Sequence, residues 1–400
     1  MRKVVVIGAG QAGAALVAKL RGLGFDGQIT LIGEEPVPPY QRPPLSKAYL
    51  LGEMTLQRLF LRPESFYAEQ DITLRLDTKV TNLDPAARCL QLDTQVLEYD
   101  ALAFTTGARA RSLPAAIGGA LPGVFAVRSL KDVDAMAPQF QPGRHVVIVG
   151  GGYIGLEAAA VAAKKGLKVT VLEMAPRILQ RVAAPETSTA IRALHESQGV
   201  RILESTALER IEGETEVTGV RLSDGARLEA NFVIAGIGIL PATELAEAAG
   251  LALDNGIRTD AQGRTSDPHI WAAGDCASFP WRGTRIRLES VQNAIDQAEL
   301  VAANILGAGK EYDPVPWFWS DQYDMKLQIA GLNTGYDRVI VRAGDARSHW
   351  YFAGEKFLAV DALGDPRAYM VGKRLLEQGR SPDPAAITDP ATDLKALLRA

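Results

Sequence analysis

The pattern G-x-G-x-x-G occurs twice in this chain, each time between an apolar, β-branched run and a helix-forming stretch. KVVVIG leads into Gly8, Gly10 and Gly13, followed by AALVAKLRGLG and by QITLIGE, which ends at Glu34. HVVIVG leads into Gly150, Gly152 and Gly155, followed by YIGLEAAAVAAKKG and by KVTVLE, which ends at Glu173. Short runs of this kind read as strands buried on both faces of a parallel sheet. Strand, glycine turn, helix, strand and terminal acid together form the dinucleotide-binding fingerprint. The first glycine makes the turn, the second admits a pyrophosphate, and the third lets helix and strand pack closely. The helix N-terminus then faces the phosphates, and the acid accepts hydrogen bonds from a ribose. One such motif is a weak signal. Two complete ones predict an α/β chain with two Rossmann-like domains.

Two dinucleotide sites in one chain imply that two dinucleotides exchange something. FAD and NADH are the natural pair, because hydride passes directly between flavin and nicotinamide rings. Glu173 favours NADH, since a carboxylate there bonds the free 2′-hydroxyl and repels a 2′-phosphate. Arg177 and Arg181 follow it; they could accommodate a phosphate, touch the pyrophosphate or lie on a solvated face.

The bulk properties exclude several classes. At 400 residues the chain is too long for one core. A net charge of −4, with no basic block, argues against nucleic-acid binding. Only two cysteines occur, Cys89 and Cys276, and the four histidines are scattered, so neither a disulfide scaffold nor a metal site is expected. A reducing compartment, most simply the cytoplasm, fits that usage. MRKVVVIGAGQAG starts like a signal peptide, but its glycines interrupt the apolar run. No window of about eighteen apolar residues predicts a membrane span.

Further stretches carry a resemblance. PYQRPPLSKAYL, TTGARAR, AGIGILPATELAEAAGL, TSDPHIWAAGDCA, ESVQNAIDQA and PWFWSDQYDMKLQIAGL are spread along nearly the whole chain. Together they resemble the NADH-dependent ferredoxin reductases, glutathione-reductase-like flavoproteins that serve bacterial cytochrome P450 and Rieske oxygenase systems. PPLSK and PWFWSDQ are the most specific. The resemblance implies FAD contacts at Ala12, Glu34, Arg42, Lys47, Val80, Thr106, Gly107, Arg128, Asp275 and Val291. Asp275 would hold the ribityl chain, and Val80 would meet the adenine through its backbone. It implies NADH contacts at Gly152, Ile154, Glu173 and Gly238. Glu34 stands where aspartate is common in the family, a change of length but not of charge.

The resemblance also assigns a place to Glu157, the carboxylate just after the second glycine motif. Lys47 of PPLSK would lie beside the flavin N5 edge and pair with Glu157, giving two catalytic residues. Lys47 would stabilise the negative charge of reduced flavin, and Glu157 would hold Lys47 and help seat the nicotinamide. The alternative is a salt bridge that only joins two domains.

No cysteine stands in QRPPLSK, where disulfide-reducing relatives carry a pair. Without a dithiol, a one-electron carrier is the economical acceptor, and the resemblance names a [2Fe–2S] ferredoxin as partner. Arg282, Arg285, Arg287 and Lys326 are candidates for a basic docking patch, or ordinary surface charge. Trp319 could cover the flavin, line the electron path or belong to the core. Two other readings compete: an NADH-dependent flavoenzyme with another acceptor (rubredoxin, a small molecule or oxygen), and a redox-gated binding protein of the apoptosis-inducing-factor kind.

The family pattern divides the chain into an FAD domain at 1–110 and 238–312, an NADH domain at 111–237, and a small α+β interface domain at 313–400. In the last, KLQIAGL, DRVIVRAG, SHWYFAG and KFLAVDAL read as strands and AYMVGKRLLEQG as a helix. No oligomer interface is recognisable, and a monomer is the working expectation.

Overall fold

The computed structural model describes residues 2–93, 95–344, 346–389 and 391–399. It resolves into two compact units: Met1–Gln41 with Thr55–Arg109 and Ile239–Pro314, and Arg42–Met54 with Ala110–Gly238 and Val315–Ala400.

The first unit is built on a five-stranded parallel sheet in the order Ile270–Ala272, Ala101–Phe104, Lys3–Ile7, Gln28–Ile32, Ile72–Arg75. The apolar runs of the sequence form these strands: Val4, Val5, Val6 and Leu102 are each at most 1% exposed. Helix Gln11–Gly22 packs beside helix Val291–Ile305, with Leu16, Val17, Ala298 and Val301 in the shared core. The unit also holds a three-stranded antiparallel sheet, Val80–Asp84, Cys89–Leu92 and Gln95–Glu98, of which the expected strand pair in CLQLDTQVLEYD is two strands, and a small sheet of Ile257–Arg258, Ala277–Trp281 and Thr284–Ile286.

The second unit repeats the plan. Its parallel sheet runs Arg201–Leu203, Lys168–Leu172, His145–Val149, Phe232–Ala235, Val124–Ala126. A three-stranded antiparallel sheet again accompanies it, Leu208–Glu212, Gly219–Leu222 and Arg227–Glu229. Helix Tyr153–Lys164 follows the central strand, as Gln11–Gly22 does in the first unit.

The same unit carries a five-stranded antiparallel sheet in the order Trp317–Gln322, Met325–Gly331, Lys356–Leu363, Arg347–Ala353, Arg338–Arg342. Helix Pro366–Glu377 packs on it through Ala368, Val371 and Leu375. The four strands and the helix expected from the sequence are present. WFWSDQ is a fifth strand that the sequence reading left unassigned. Among the described residues no helix is long and apolar enough to cross a membrane.

Candidate dinucleotide cradles and the Lys47 ion pair

The glycine loops of the two units share one geometry. Gly8 has φ +113°, and a Cβ on it would lie 2.3 Å from Thr105 O. Gly150 has φ +107°, and its Cβ would lie 2.4 Å from Gly236 O. Both conformations are nearly closed to other residues. At the third position, a Cβ on Gly13 would meet Gly8 O at 2.1 Å, and one on Gly155 would meet Gly150 O at 2.2 Å. At the second position the result inverts: Gly10 and Gly152 have nothing within 4 Å. These two glycines cap their helices without a side-chain hydrogen bond, whereas Ser129, Ser290 and Asp365 cap other helices with one. The first-turn N–H groups behind Gly10 and Gly152 are thus left for an anion that approaches closely. Both cradles fit a dinucleotide pyrophosphate.

The acids differ in their surroundings. Strand Gln28–Ile32 stops two residues before Glu34, which is exposed. Strand Lys168–Leu172 stops one residue before Glu173. Glu173 Oε2 accepts from Gly151 N at 2.8 Å and Oε1 from Ala175 N at 2.7 Å, so its carboxylate is fixed under the glycine loop. Arg177 is committed to Ser188 Oγ, while Arg181 is exposed.

Other expected contact residues also lie in the first unit. Ala12 lies on the glycine helix, and a Cβ on Gly274 would reach Ala12 Cβ at 3.2 Å, so the GDCA turn carrying Asp275 packs on that helix. Val291 opens a helix capped by Ser290. Thr106 Oγ1 donates to Ala242 O at 2.7 Å, and Gly107 takes φ +67°. Val80 begins an antiparallel strand and is 8% exposed. Arg285 and Arg287, two docking candidates, are occupied otherwise: Arg285 Nη1 donates to Ser278 O at 2.6 Å and Arg287 Nη1 to Asp275 O at 3.1 Å. Arg282 pairs with Asp313 at 3.5 Å.

The second unit holds the ion pair. The last three residues of PPLSK open a π turn, Leu45–Tyr49, in which Lys47 departs from helical geometry (φ −133°, ψ −112°). Lys47 Nζ lies 3.0 Å from Glu157 Oε1. Glu157 projects from the first turns of helix Tyr153–Lys164 and is 4% exposed. Two hydroxyls also donate to it, Ser320 Oγ to Oε1 at 2.7 Å and Ser46 Oγ to Oε2 at 3.2 Å. Burial pushes the Glu157 carboxyl up from its ordinary value, opposed by Lys47 and by the hydroxyls of Ser320 and Ser46. Asp321 is a second carboxylate on Lys47, at 3.5 Å, and it also meets Lys326 at 3.8 Å. Asp321, Ser320 and Ser46 escaped the sequence reading, although all three lie inside the stretches that carried the resemblance.

Arg42 Nη1 donates to Arg128 O at 2.8 Å, joining two of the expected residues. Ile154 is 45% exposed at the start of the second glycine helix. Gly238 takes φ +95° and accepts from Arg111 N at 2.9 Å. Trp319 is half-buried, with its ring 5.7 Å from that of Trp317. Cys276 is fully buried and contacts Ala273 O at 3.4 Å. Its thiol is pushed up by burial, away from the reactive thiolate form.

Comparison with known proteins matches this arrangement. Residues 2–298 match the pyridine nucleotide-disulphide oxidoreductase family, and residues 317–398 match the reductase C-terminal family. The chain is 43% identical to a ferredoxin–NAD(P)(+) reductase of Sphingomonas sp, across 99% of this chain and 97% of that one. It is 41% identical to putidaredoxin reductase of Pseudomonas putida, across 99% and 97%. Among solved structures, a covalent putidaredoxin reductase–putidaredoxin complex matches with a TM-score of 0.96 at 41% identity, covering 100% of this chain and 98% of that chain. The chain belongs to the ferredoxin reductases of the pyridine nucleotide-disulphide oxidoreductase family.

Proposed function

We propose that this protein takes hydride from NADH and passes the electrons singly to a [2Fe–2S] ferredoxin that feeds a cytochrome P450 or Rieske oxygenase. The observation that carries this reading is the pair of matching open cradles in a chain whose two cysteines, Cys89 and Cys276, are not paired with each other. Bound FAD supplies acceptance of a hydride and release of its electrons one at a time.

In this reading the FAD domain comprises residues 1–110 and 238–312, the NADH domain 111–237 and the interface domain 313–400. Gly8, Gly10, Ala12, Gly13, Glu34, Arg42, Lys47, Val80, Thr106, Gly107, Arg128, Asp275, Val291 and Trp319 serve FAD. Gly150, Gly152, Ile154, Gly155, Glu173 and Gly238 serve NADH. Lys47 keeps a positive charge where reduction creates a negative one, and Glu157, already ion-paired, orients that charge. Glu173 presents a carboxylate to the ribose and disfavours a 2′-phosphate. We place the protein in the cytoplasm, in keeping with its two unpaired cysteines.

The test is NADH-driven reduction of cytochrome c by the purified flavoprotein, with and without added [2Fe–2S] ferredoxin. Turnover that rises by orders of magnitude with ferredoxin supports the proposal. Turnover that several ferredoxins leave unchanged, while flavin reduction stays fast, assigns a different acceptor.

A further inference from the structure

Glu157 is the end of a longer hydrogen-bonded chain. Ser320 Oγ donates to Glu157 Oε1 at 2.7 Å, and Gln322 Nε2 donates to Ser320 Oγ at 3.1 Å. Gln322 Oε1 lies 2.7 Å from His195 Nε2, and His195 Nδ1 lies 3.1 Å from the Tyr323 hydroxyl. Ser320, Gln322 and His195 are each 0% exposed, and Tyr323 is half-buried at the outer end. The links join helix Pro185–Ser197, strand Trp317–Gln322 and helix Tyr153–Lys164.

The direction of every link follows from the first. An ionised carboxylate only accepts, so the single Ser320 proton goes to Glu157. Ser320 Oγ must then accept from the Gln322 amide nitrogen, which turns the Gln322 amide oxygen toward His195. That oxygen only accepts, so His195 carries its proton on Nε2. Its Nδ1 is then the acceptor for the Tyr323 hydroxyl. Four dipoles point their positive ends at one carboxylate, and each polarises the next. A protonated Glu157 with its proton on Oε1 would put a second hydrogen on the first link and break this order.

We infer that His195, Gln322 and Ser320 are positioning residues that hold Glu157 in its ionised form, so that Lys47 stays fixed. The significance of the chain for electron transfer rests on the proposed placement of Lys47 beside the flavin. Burial opposes the chain at Glu157, where it favours the protonated carboxyl, and supports it at His195, where it favours the neutral ring whose Nδ1 accepts. The charged groups facing Glu157 are Lys47 from the π turn and, across Lys47, Asp321 from strand Trp317–Gln322. The two strands packed against the helix, His145–Val149 and Lys168–Leu172, carry titratable side chains only at their starts, His145 and Lys168, the ends opposite the loop that leads into the helix.

The experiment follows the infrared carbonyl band of protonated Glu157 against pH in the FAD-loaded protein, assigned by its absence in Glu157→Gln. In Ser320→Ala, Gln322→Leu and His195→Phe the band should appear about one pH unit higher than in wild type, a tenfold rise in proton affinity. Ser320→Thr, which keeps the hydroxyl, should restore the wild-type midpoint. Wild-type midpoints in Gln322→Leu and His195→Phe overturn the inference. Where those variants fail to fold, Tyr323→Phe decides, because it removes only the half-exposed terminal hydroxyl. An upward shift there supports the chain, and an unshifted band overturns it. The flavin absorbance of Glu157→Gln separately tests the placement beside the flavin, so that either idea can fail alone.

Discussion

Asp321 stands 3.5 Å from Lys47 Nζ, one residue after the Ser320 whose hydroxyl binds Glu157. Lys47 is therefore shared by two carboxylates of different exposure, 4% for Glu157 and 38% for Asp321. Lys47→Met should slow reduction of the flavin by NADH about 100-fold, the scale on which a preorganised charge acts. Asp321→Asn should slow it less than about 5-fold, because a half-exposed ion pair is weak. Stopped-flow flavin absorbance reads both, and a Lys47→Met variant as fast as wild type would leave the pair a purely structural bridge.

The two cradles make a steric prediction. Gly152→Ala should fold, because its Cβ meets nothing within 4 Å, yet bind NADH more weakly where the pyrophosphate must approach. Gly155→Ala should cost stability by about 1–3 kcal/mol or more, since its Cβ would lie 2.2 Å from Gly150 O. Thermal melts and NADH titrations separate the two defects. The reverse ranking would show that the loop opens in a different place.

Coenzyme choice should reside in Glu173. Replacing it with alanine removes the acceptor that now binds Gly151 N and Ala175 N. Losing a charged hydrogen-bond acceptor should lower the preference for NADH over NADPH about 10- to 100-fold. Arg181, exposed and nearby, is left to meet the 2′-phosphate. The ratio of kcat/KM for the two coenzymes checks this.

A buried cluster makes stability depend on pH in two opposing ways. His349 and Asp361 face each other across paired strands, and Thr187 Oγ1 lies 2.7 Å from each. Burial pushes Asp361 up to about 6, against hydrogen bonds from Tyr351 and Thr187. Burial pushes His349 down to about 4. A raised carboxyl gains stability for the fold as pH falls through 6, and a depressed histidine loses it as pH falls from its ordinary value toward 4. The two nearly offset in wild type. In Asp361→Asn only the histidine remains, so the melting temperature should fall more steeply with acid between pH 6.5 and 4 than in wild type. Parallel curves for the two proteins would contradict this.

What could be read from the sequence was what is local. Each cradle lies within about thirty residues, and its three glycines have distinct steric duties that spacing alone reveals. Lys47 and Glu157, 110 positions apart, were joined only through family resemblance; nothing in the periodicity links them. The chain from Glu157 to His195 was invisible for the same reason: its partners come from strands and helices up to 163 residues away. WFWSDQ hid its strand because its inward-facing residues at the polar end, Ser320 and Gln322, are polar and enter a buried network, so no apolar alternation marks them. Arg285 and Arg287 looked like surface charge but bind backbone carbonyls, which composition cannot distinguish.

The burial of Cys276 has a practical side. With that thiol at 0% exposure and Cys89 partly open at the start of a short antiparallel strand, the native protein offers a single reachable thiol. A maleimide dye or an electrode linker can thus be attached at one defined point without first engineering any cysteine away.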